Sequence, residues 1–322
     1  MTPLLEVKDL AVEFRIPEGI LRAPDGVSFQ IAPQEILGVV GESGSGKSVT
    51  ALSVMGLIPN PPGKMVAGEV LFQGHDLKQQ ITDIRGQKIS MVFQNPLNSL
   101  NPSLRIGLQL TEVLVEHLKM AQSEAEERAI TLMRQLGIPE PQTLLTRYPF
   151  EFSGGMRQRI MIAMAMLCNP TLMIADEPTT ALDVTIQAQM LHLFQQLREQ
   201  FQTSIMYITH DLSVVSQIAD RVLVMYAGKI VERAETERIF SAPRHPYTQG
   251  LIRSIPGMNT DGATRLHSIT GNVPNLIHPP PGCRFHPRCS QAMDICRHSP
   301  PSECQVEGSS VFCWLYRGEE EQ

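Results

Sequence analysis

Two hydrophobic periods alternate along the chain, one typical of strands and one typical of helices. Apolar and polar residues alternate over 4–14 and again over 27–31, which predicts two strands with one face on a core. The Pro- and Gly-containing stretch 17–25 between them is expected to be a loop, so that the pair forms a small antiparallel subsheet. Further strands are expected at 36–40, 68–72, 89–93, 171–175, 204–209, 221–225 and 229–232.

A helical period dominates the segment from about 95 to 150. Apolar residues recur at helical spacing over 106–118 and over 125–136, and prolines close the segment at 139 and 141. Because predicted strands lie on both sides, the segment is interpreted as a helical insertion within an α/β domain. Other helices are expected at 47–57, 153–168 and 184–200.

A glycine-rich loop that reads G-x-x-x-x-G-K-S separates the predicted strand 36–40 from the helix after it. In this motif the backbone N–H groups and the helix N-terminus point at the phosphates of a nucleoside triphosphate. Lys47 is expected to place its ammonium on the phosphates, and the Ser48 hydroxyl to bind Mg²⁺; the alternative is a chance glycine-rich turn. The predicted phosphate-binding residues are Gly41, Glu42, Ser43, Gly44, Ser45, Gly46, Lys47 and Ser48.

Polar residues at the ends of three other predicted strands supply candidate catalytic groups. Asp176 is placed to hold Mg²⁺ through water, and Glu177 to orient and deprotonate an attacking water. Gln94 can reach Mg²⁺ or that water, and His210 can hydrogen-bond the γ-phosphate. The alternative for the two carboxylates is a solvated acidic pair. Phe14 is equally well interpreted as an adenine-stacking ring or as a core residue.

A second candidate anion site begins the helix predicted at 153–168. Ser153, Gly154 and Gly155 offer a hydroxyl and uncovered backbone N–H groups at a helix N-terminus. One nucleotide has little use for two phosphate sites in one chain. Two chains that meet head to tail would each use both sites.

Composition narrows the classes of function. The 322 residues are 42% hydrophobic and carry a formal charge of -6, which argues against a nucleic-acid-binding face. No apolar run approaches the roughly 20 residues that a membrane-spanning helix needs. The N-terminus lacks a basic-then-apolar signal pattern, so a cytosolic chain is expected, with any membrane role exerted through a partner.

The order of these motifs resembles that of ABC-transporter ATPase subunits over about residues 4–240. The matching segments are GESGSGKS, the Gln of MVFQNP, FSGGMRQR, LMIADEP, the ALD turn and THD. Phe152 and Met156 stand where that family more often has Leu and Gln. The resemblance implies binding of ATP and Mg²⁺ by a phosphate-loop, RecA-like α/β core, with an N-terminal antiparallel β-subdomain and a helical insertion. It also implies that Ser153 closes over the nucleotide of the opposite subunit, and it adds Val49 and Asp183 to the nucleotide contacts.

Three further segments resemble the oligopeptide, dipeptide and nickel branch of bacterial importers. They are QNPLNSLNP, the run from Glu177 to Gln189, and PRHPYT, together with the tail around GCRFHPRC. The resemblance implies an ATPase domain over 1–240, with an insertion at about 95–150, and a C-terminal extension over 241–322. Leu97 and Leu100 are interpreted as contacts with a membrane partner rather than as core.

The same resemblance implies a set of partners and a location. The chain is expected to lie on the cytoplasmic face of the inner membrane as a peripheral subunit that powers peptide import. It would bind two membrane-spanning permeases and a paralogous ATPase or a second copy of itself, and serve an extracytoplasmic solute-binding protein indirectly. The alternatives are import of nickel or another small solute, a soluble ABC protein of DNA repair or translation, and a phosphate-loop kinase.

Five cysteines crowd the Pro-rich end of the chain. Such a segment cannot bury enough apolar surface to fold alone, and a metal centre would supply the missing constraint. The spacing leaves an iron–sulfur cluster and zinc open, with His286 or His298 able to replace a thiolate; five unliganded thiols are the further alternative. The resemblance favours a structural [4Fe–4S] cluster in a small irregular Cys-rich domain, with Cys304 as the spare. Its ligands would be Cys283, Cys289, Cys296 and Cys313.

Overall fold

A computed structural model describes residues 2–94, 99–180, 182–255 and 269–317. The chain divides into two compact units. Unit 1 comprises the described parts of Met1–Ile31, Ile36–Lys78 and Ile208–Gln322, and unit 2 comprises those of Ala32–Glu35 and Gln79–Tyr207.

Strands and helices alternate through most of the described residues. The strands are β1 Leu5–Ile16, β2 Gly19–Ile31, β3 Ile36–Val40, β4 Gly63–Phe72, β5 His75–Asp76, β6 Ile89–Val92, β7 Leu172–Asp176, β8 Ser204–Thr209, β9 Arg221–Tyr226, β10 Lys229–Glu235, β11 Cys304–Val306 and β12 Ser309–Val311. The helices are α1 Lys47–Val54, α2 Leu77–Ile84, α3 Ile106–Leu118, α4 Gln122–Gln135, α5 Pro141–Leu144, α6 Gly154–Met166, α7 Val184–Phe201, α8 Leu212–Ile218, α9 Thr236–Ser241 and α10 Pro246–Arg253.

Unit 1 contains the antiparallel subsheet predicted for the N-terminal region, with the strand order β2-β1-β4-β5. The loop predicted at 17–25 is wrong, because β2 begins at Gly19 and only two residues connect it to β1. Cross-strand contacts extend the hairpin: Phe14 lies opposite Leu21, and the Arg22 guanidinium forms an ion pair with Glu13. These pairings outweigh the local turn signals.

Unit 1 also contains five strands of a second sheet, in the order β11-β12-β10-β9-β3. β3 and β9 are parallel, with Leu37 opposite Arg221, whereas β10 pairs antiparallel with both β9 and β12. The C-terminal residues therefore add two strands to this sheet. They also pack into its core, where Phe285 contacts Tyr226 and Tyr247 with ring centroids 5.1 and 5.4 Å apart. The structure thus does not confirm a separate Cys-rich domain.

Unit 2 contains the strand order β8-β7-β6, to which β8 contributes its first four residues. It also contains α3 to α7 and all of α2 except its first two residues. β7 is buried along its whole length and runs parallel to β6. The insertion forms α3, α4 and α5; α3 is in contact with α4, and both helices bury residues with the predicted helical spacing. Those residues are Ile106, Leu110, Leu114, Ala125, Ala129 and Leu132.

Leu100 is a core residue of unit 2, which corrects its interpretation as a partner contact. Its exposed fraction is 2%. The Gln109 side chain holds the adjoining turn against α3, because it accepts a hydrogen bond from the Asn101 N–H (2.8 Å) and donates to the Leu104 carbonyl (3.0 Å). Leu97 lies outside the described residues. Within those residues, every helix is too short or too polar to cross a membrane.

Candidate active site

The phosphate loop connects β3 to α1 in unit 1. Gly41 has a φ of 154°, and a Cβ at this position would lie 2.1 Å from the Met225 carbonyl oxygen, so no larger residue fits. Lys47 is buried, and its Nζ donates hydrogen bonds to the carbonyls of Gly41 (2.8 Å) and Glu42 (3.1 Å). The loop therefore holds an ammonium group beside the N-terminus of a helix, an arrangement that suits a phosphate ligand.

The other predicted residues of unit 1 differ in exposure. Ser48 and Val49 are half-buried in the first turn of α1, and His210 is exposed directly after β8. Phe14 is half-buried on β1. A Cβ on Gly63 would lie 2.7 Å from a ring carbon of Phe14, so the ring lies directly against that glycine. Within the loop, Ser43 and Gly44 are exposed, whereas Ser45 and Gly46 are buried.

The candidate base and its orienting residues lie in unit 2, after the ends of β6 and β7. Asp176 and Glu177 are both buried, and Glu177 has a φ of 47°, which is uncommon for a residue with a side chain. Glu177 Oε2 accepts hydrogen bonds from Gln94 Nε2 (3.1 Å) and Thr180 Oγ1 (2.9 Å). The structure thus brings Gln94 and Glu177 together, and it adds Thr180, which the sequence motifs did not single out.

The Ser-Gly-Gly segment and Asp183 line one recess of about 570 Å³ in unit 2. Each of the two polar residues caps a helix: Ser153 Oγ accepts from the Met156 N–H (3.3 Å), and Asp183 Oδ1 from the Ile186 N–H (2.9 Å). Gly155 is close to the Ile186 side chain, because a Cβ there would lie 3.1 Å from it. Two helix N-termini therefore face this recess, which suits an anionic ligand.

Cys283, Cys289, Cys296 and Cys313 influence one another electrostatically. Burial, with a smaller contribution from the thiolates of Cys283, Cys289 and Cys296, raises the pKa of Cys313 to about 12. Burial also raises the pKa of Cys283 and of Cys289. Cys304 is the first residue of β11, where its thiol contacts the Ser302 carbonyl.

The structure does not confirm a metal centre. Over the described residues, which include all five of these cysteines, no three His, Cys, Asp or Glu side chains form a group that would hold a metal ion. The zinc site considered for the cysteines and for His286 or His298 is therefore not confirmed either.

One contact of the phosphate loop escaped the sequence motifs. Arg288, in the C-terminal extension, forms a two-pronged ion pair with Glu42, and its Nη1 and Nη2 lie 2.6 and 3.0 Å from the two carboxylate oxygens. Both residues belong to unit 1. The partners are 246 positions apart, so no local pattern predicts the pair.

Two family models match the chain. The model described as ABC transporter matches residues 24–180, and the model described as oligopeptide/dipeptide transporter, C-terminal region, matches residues 231–296. The second match begins in β10 and includes three of the five C-terminal cysteines, Cys283, Cys289 and Cys296.

Curated relatives match along nearly the whole chain. The oligopeptide transport ATP-binding protein OppD of Bacillus subtilis is 50% identical over 98% of this chain and 89% of its own length. The dipeptide transport ATP-binding protein DppD of the same organism is 47% identical over 98% and 95%, and OppD of Escherichia coli is 48% identical over 97% and 93%.

Solved structures share the fold. A dimeric ATP-binding cassette in a post-hydrolysis state with ADP and phosphate is 26% identical, with a TM-score of 0.64 over 72% of this chain and 98% of that chain. The cbiO1 protein of Clostridium perfringens, part of an ABC transporter complex, is 23% identical, with a TM-score of 0.63 over 75% and 92%, and shows the fold alone. With the ABC cassette fold and relatives about half identical along their length, this chain belongs to the ATP-binding subunits of the oligopeptide and dipeptide ABC transporter family.

Proposed function

We propose that the chain binds and hydrolyses ATP to power the import of dipeptides and oligopeptides through a bacterial membrane. The observation that carries this proposal is the sequence identity of 47% to 50% with peptide-transport ATP-binding proteins, over 98% of this chain. The buried Lys47 in a phosphate loop and the oriented carboxylate of Glu177 supply the chemistry that such a subunit needs.

The hydrolysis step is an in-line attack of water on the γ-phosphorus. Glu177 accepts a proton from the water, the bond from the γ-phosphorus to the bridging oxygen breaks, and ADP and phosphate leave. Two hydrogen bonds, from Gln94 and Thr180, already fix the direction of the Glu177 carboxylate. Fixing the base before the reaction reduces the ordering that the transition state requires.

Charge compensation comes from side chains around the phosphates. Lys47 and His210 would contact phosphate oxygens, Phe14 would stack on the adenine, and Ser48 and Asp176, helped by Gln94, would hold Mg²⁺. When bound, Mg²⁺ offsets the negative charge of the β- and γ-phosphates. Hydroxyl, carboxylate and amide oxygens are ligands that Mg²⁺ prefers, so the donor types of these residues suit the ion.

The signature segment would act across a dimer of cassettes. Ser153, Gly154, Gly155 and Asp183 line a recess of unit 2 with two helix N-termini, and one nucleotide needs only one phosphate loop. We therefore propose that each ATP lies between the loop of one subunit and the recess of the other. The second cassette is a paralogous ATPase or another copy of this chain, and the similar dimeric cassette provides a precedent.

The remaining partners follow from the class of transporter. The proposed assembly contains two membrane-spanning permeases on whose cytoplasmic side the ATPase lies, and it serves an extracytoplasmic solute-binding protein indirectly. The insertion at about 95–150 would contact the permeases. We retain 1–240 as the proposed ATPase domain and 241–322 as the proposed extension.

Substitution of Lys47 tests the ATP-binding half of the proposal. Lys47→Ala should abolish ATP binding to the purified full-length chain, measured with a fluorescent ATP analogue, because the loop loses its positive charge. Arg253→Ala removes one positive charge from an exposed position on α10 and serves as the control. If Lys47→Ala binds ATP like the wild-type chain, the phosphate loop is not the nucleotide site.

We also propose that Cys283, Cys289, Cys296 and Cys313 hold a [4Fe–4S] cluster. The four thiols influence one another electrostatically, and the Cys283 N–H donates to the Cys296 carbonyl (2.9 Å). A cube takes thiolates at separate corners, so it does not need the single-ion ligand group that these residues lack. Its role would be structural.

Anaerobic purification tests the cluster. The protein should be brown, with broad absorbance near 400 nm and close to four irons per chain, as is typical of such a cube. Cys304→Ser should keep the colour, and Cys289→Ser should lose it. Colourless wild-type protein would contradict the presence of a cluster. Loss of colour in Cys304→Ser but not in Cys289→Ser would show that the proposed ligand set is wrong.

A further inference from the structure

The Arg288 guanidinium is fixed on all sides by unit 1. Besides the two Glu42 oxygens, it donates to the Tyr226 hydroxyl (3.3 Å) and to the carbonyls of Thr270 (3.0 Å) and Ile269 (3.3 Å). These contacts occupy all five N–H donors of the group. Only 5% of its side chain is exposed, so Arg288 holds one orientation toward the phosphate loop.

Glu42 places a negative charge inside the loop that is to bind a triphosphate. Its side chain is 28% exposed, so it is only partly screened by water. An unpaired carboxylate here would repel the phosphates, whereas a two-pronged Arg–carboxylate pair presents little net charge. The Glu42 backbone is held as well, because its N–H donates to the Tyr247 hydroxyl (2.9 Å).

A second arginine of the extension contacts the turn that is hydrogen-bonded to the phosphate loop. Arg284 forms an ion pair with Asp25 and donates to the Ala227 carbonyl in the turn between β9 and β10. The next residue in that turn, Gly228, donates its N–H to the Ser45 carbonyl of the phosphate loop (3.0 Å). The extension therefore contacts the phosphate loop directly through Arg288, and indirectly through Arg284 and the turn at Ala227.

We propose that Arg288 is a positioning residue of the nucleotide site, which neutralises Glu42 and so allows the phosphate loop to accept a polyanion. This inference rests on the proposed binding of ATP at the loop. The C-terminal extension then completes the nucleotide site of its own chain. Its influence on nucleotide affinity should grow with the negative charge of the ligand.

The competing explanation is that Arg288 only stabilises the fold. Both explanations predict that Arg288→Ala lowers the unfolding temperature, because three acceptors besides Glu42 lose their hydrogen-bond donor. They differ in a second substitution. When Arg288 has been replaced, Glu42→Gln removes the negative charge that is left unpaired. It does not restore the contacts that Arg288 made to Tyr226, Thr270 and Ile269.

The experiment measures nucleotide affinity and thermal unfolding on the same full-length variants. Arg288→Ala should weaken ATP binding roughly tenfold at low salt, weaken ADP binding less and leave adenosine binding nearly unchanged. Raising the salt concentration should shrink the defect. The double variant Glu42→Gln/Arg288→Ala should regain most of the ATP affinity while its unfolding temperature stays as low as that of Arg288→Ala.

Two controls separate the possible failures. Arg253→Ala, which removes an exposed positive charge from the same unit, should change neither readout. A double variant that binds ATP no better than Arg288→Ala, or a defect equal for ATP and adenosine, overturns the inference. If Lys47→Ala still binds ATP, the proposed function fails instead, because the loop is then not the site.

Discussion

At the scale of single residues, the chemistry depends on how Glu177 is held. Its carboxylate is buried, its backbone adopts a φ of 47°, and Gln94 and Thr180 donate to the same oxygen. Residues that their surroundings hold in an uncommon backbone conformation are concentrated at catalytic sites. The geometry therefore fits a base that is oriented before its substrate arrives.

Glu177→Gln should separate ATP binding from hydrolysis. The amide keeps the shape of the side chain but cannot accept the proton of water, so hydrolysis should fall by roughly 100-fold or more while ATP affinity changes little. Steady-state phosphate release and ATP binding by the assembled transporter measure the two quantities. Thr180→Val removes only an orienting hydroxyl and should have a smaller effect. Wild-type hydrolysis by Glu177→Gln would exclude Glu177 as the base.

At the scale of elements, α10 begins on a buried polar pair. Glu232 accepts hydrogen bonds from the backbone N–H groups of Arg244 and His245, both at 2.8 Å, and His245 Nδ1 caps the helix by accepting from the Tyr247 N–H. Complete burial lowers the pKa of His245 to about 3. Burial likewise raises the pKa of Glu232. The ring of His245 is therefore neutral at physiological pH.

The lowered pKa of His245 makes stability depend on pH. Because the folded pKa of His245 lies below the value of 6.5 from which the shift is measured, its contribution is complete above pH 6.5 and is lost as the pH falls toward 3. The loss amounts to about 1.4 kcal/mol of unfolding free energy per pH unit in that window. His245→Asn keeps a capping oxygen and should flatten the pH dependence. The same substitution at exposed His75 is the control. An unchanged slope in His245→Asn would contradict the assignment.

Elements whose signals are local were predictable from the sequence. The apolar runs that became β3, β7 and β8 are buried strands, and the motifs at their ends lie where the pattern put them. Features set by distant partners were not predictable. β2 is longer than expected because Arg22 and Leu21 pair across the hairpin, and Leu100 is buried because Gln109 ties the adjoining turn to α3.

At the scale of the whole molecule, each unit carries a distinct part of the chemistry. Unit 1 contains the phosphate loop and the extension that contacts it through Arg284 and Arg288, and unit 2 contains Gln94, Glu177 and the Ser-Gly-Gly recess. Arg288 and Glu42 belong to the same unit but are 246 positions apart in the sequence. Sequence motifs identify the phosphate loop and the C-terminal extension, but they do not predict that the two are in contact.

The central claim is that this chain couples ATP hydrolysis to peptide import, and vesicle uptake tests it most directly. The purified transporter, reconstituted with its permeases and solute-binding protein, would be given labelled dipeptides and oligopeptides with ATP on the side of this subunit. We expect ATP-dependent accumulation that is lost with Glu177→Gln, although that variant still binds ATP. Accumulation that persists in Glu177→Gln, or vesicles that import nickel but no peptide, would contradict the account.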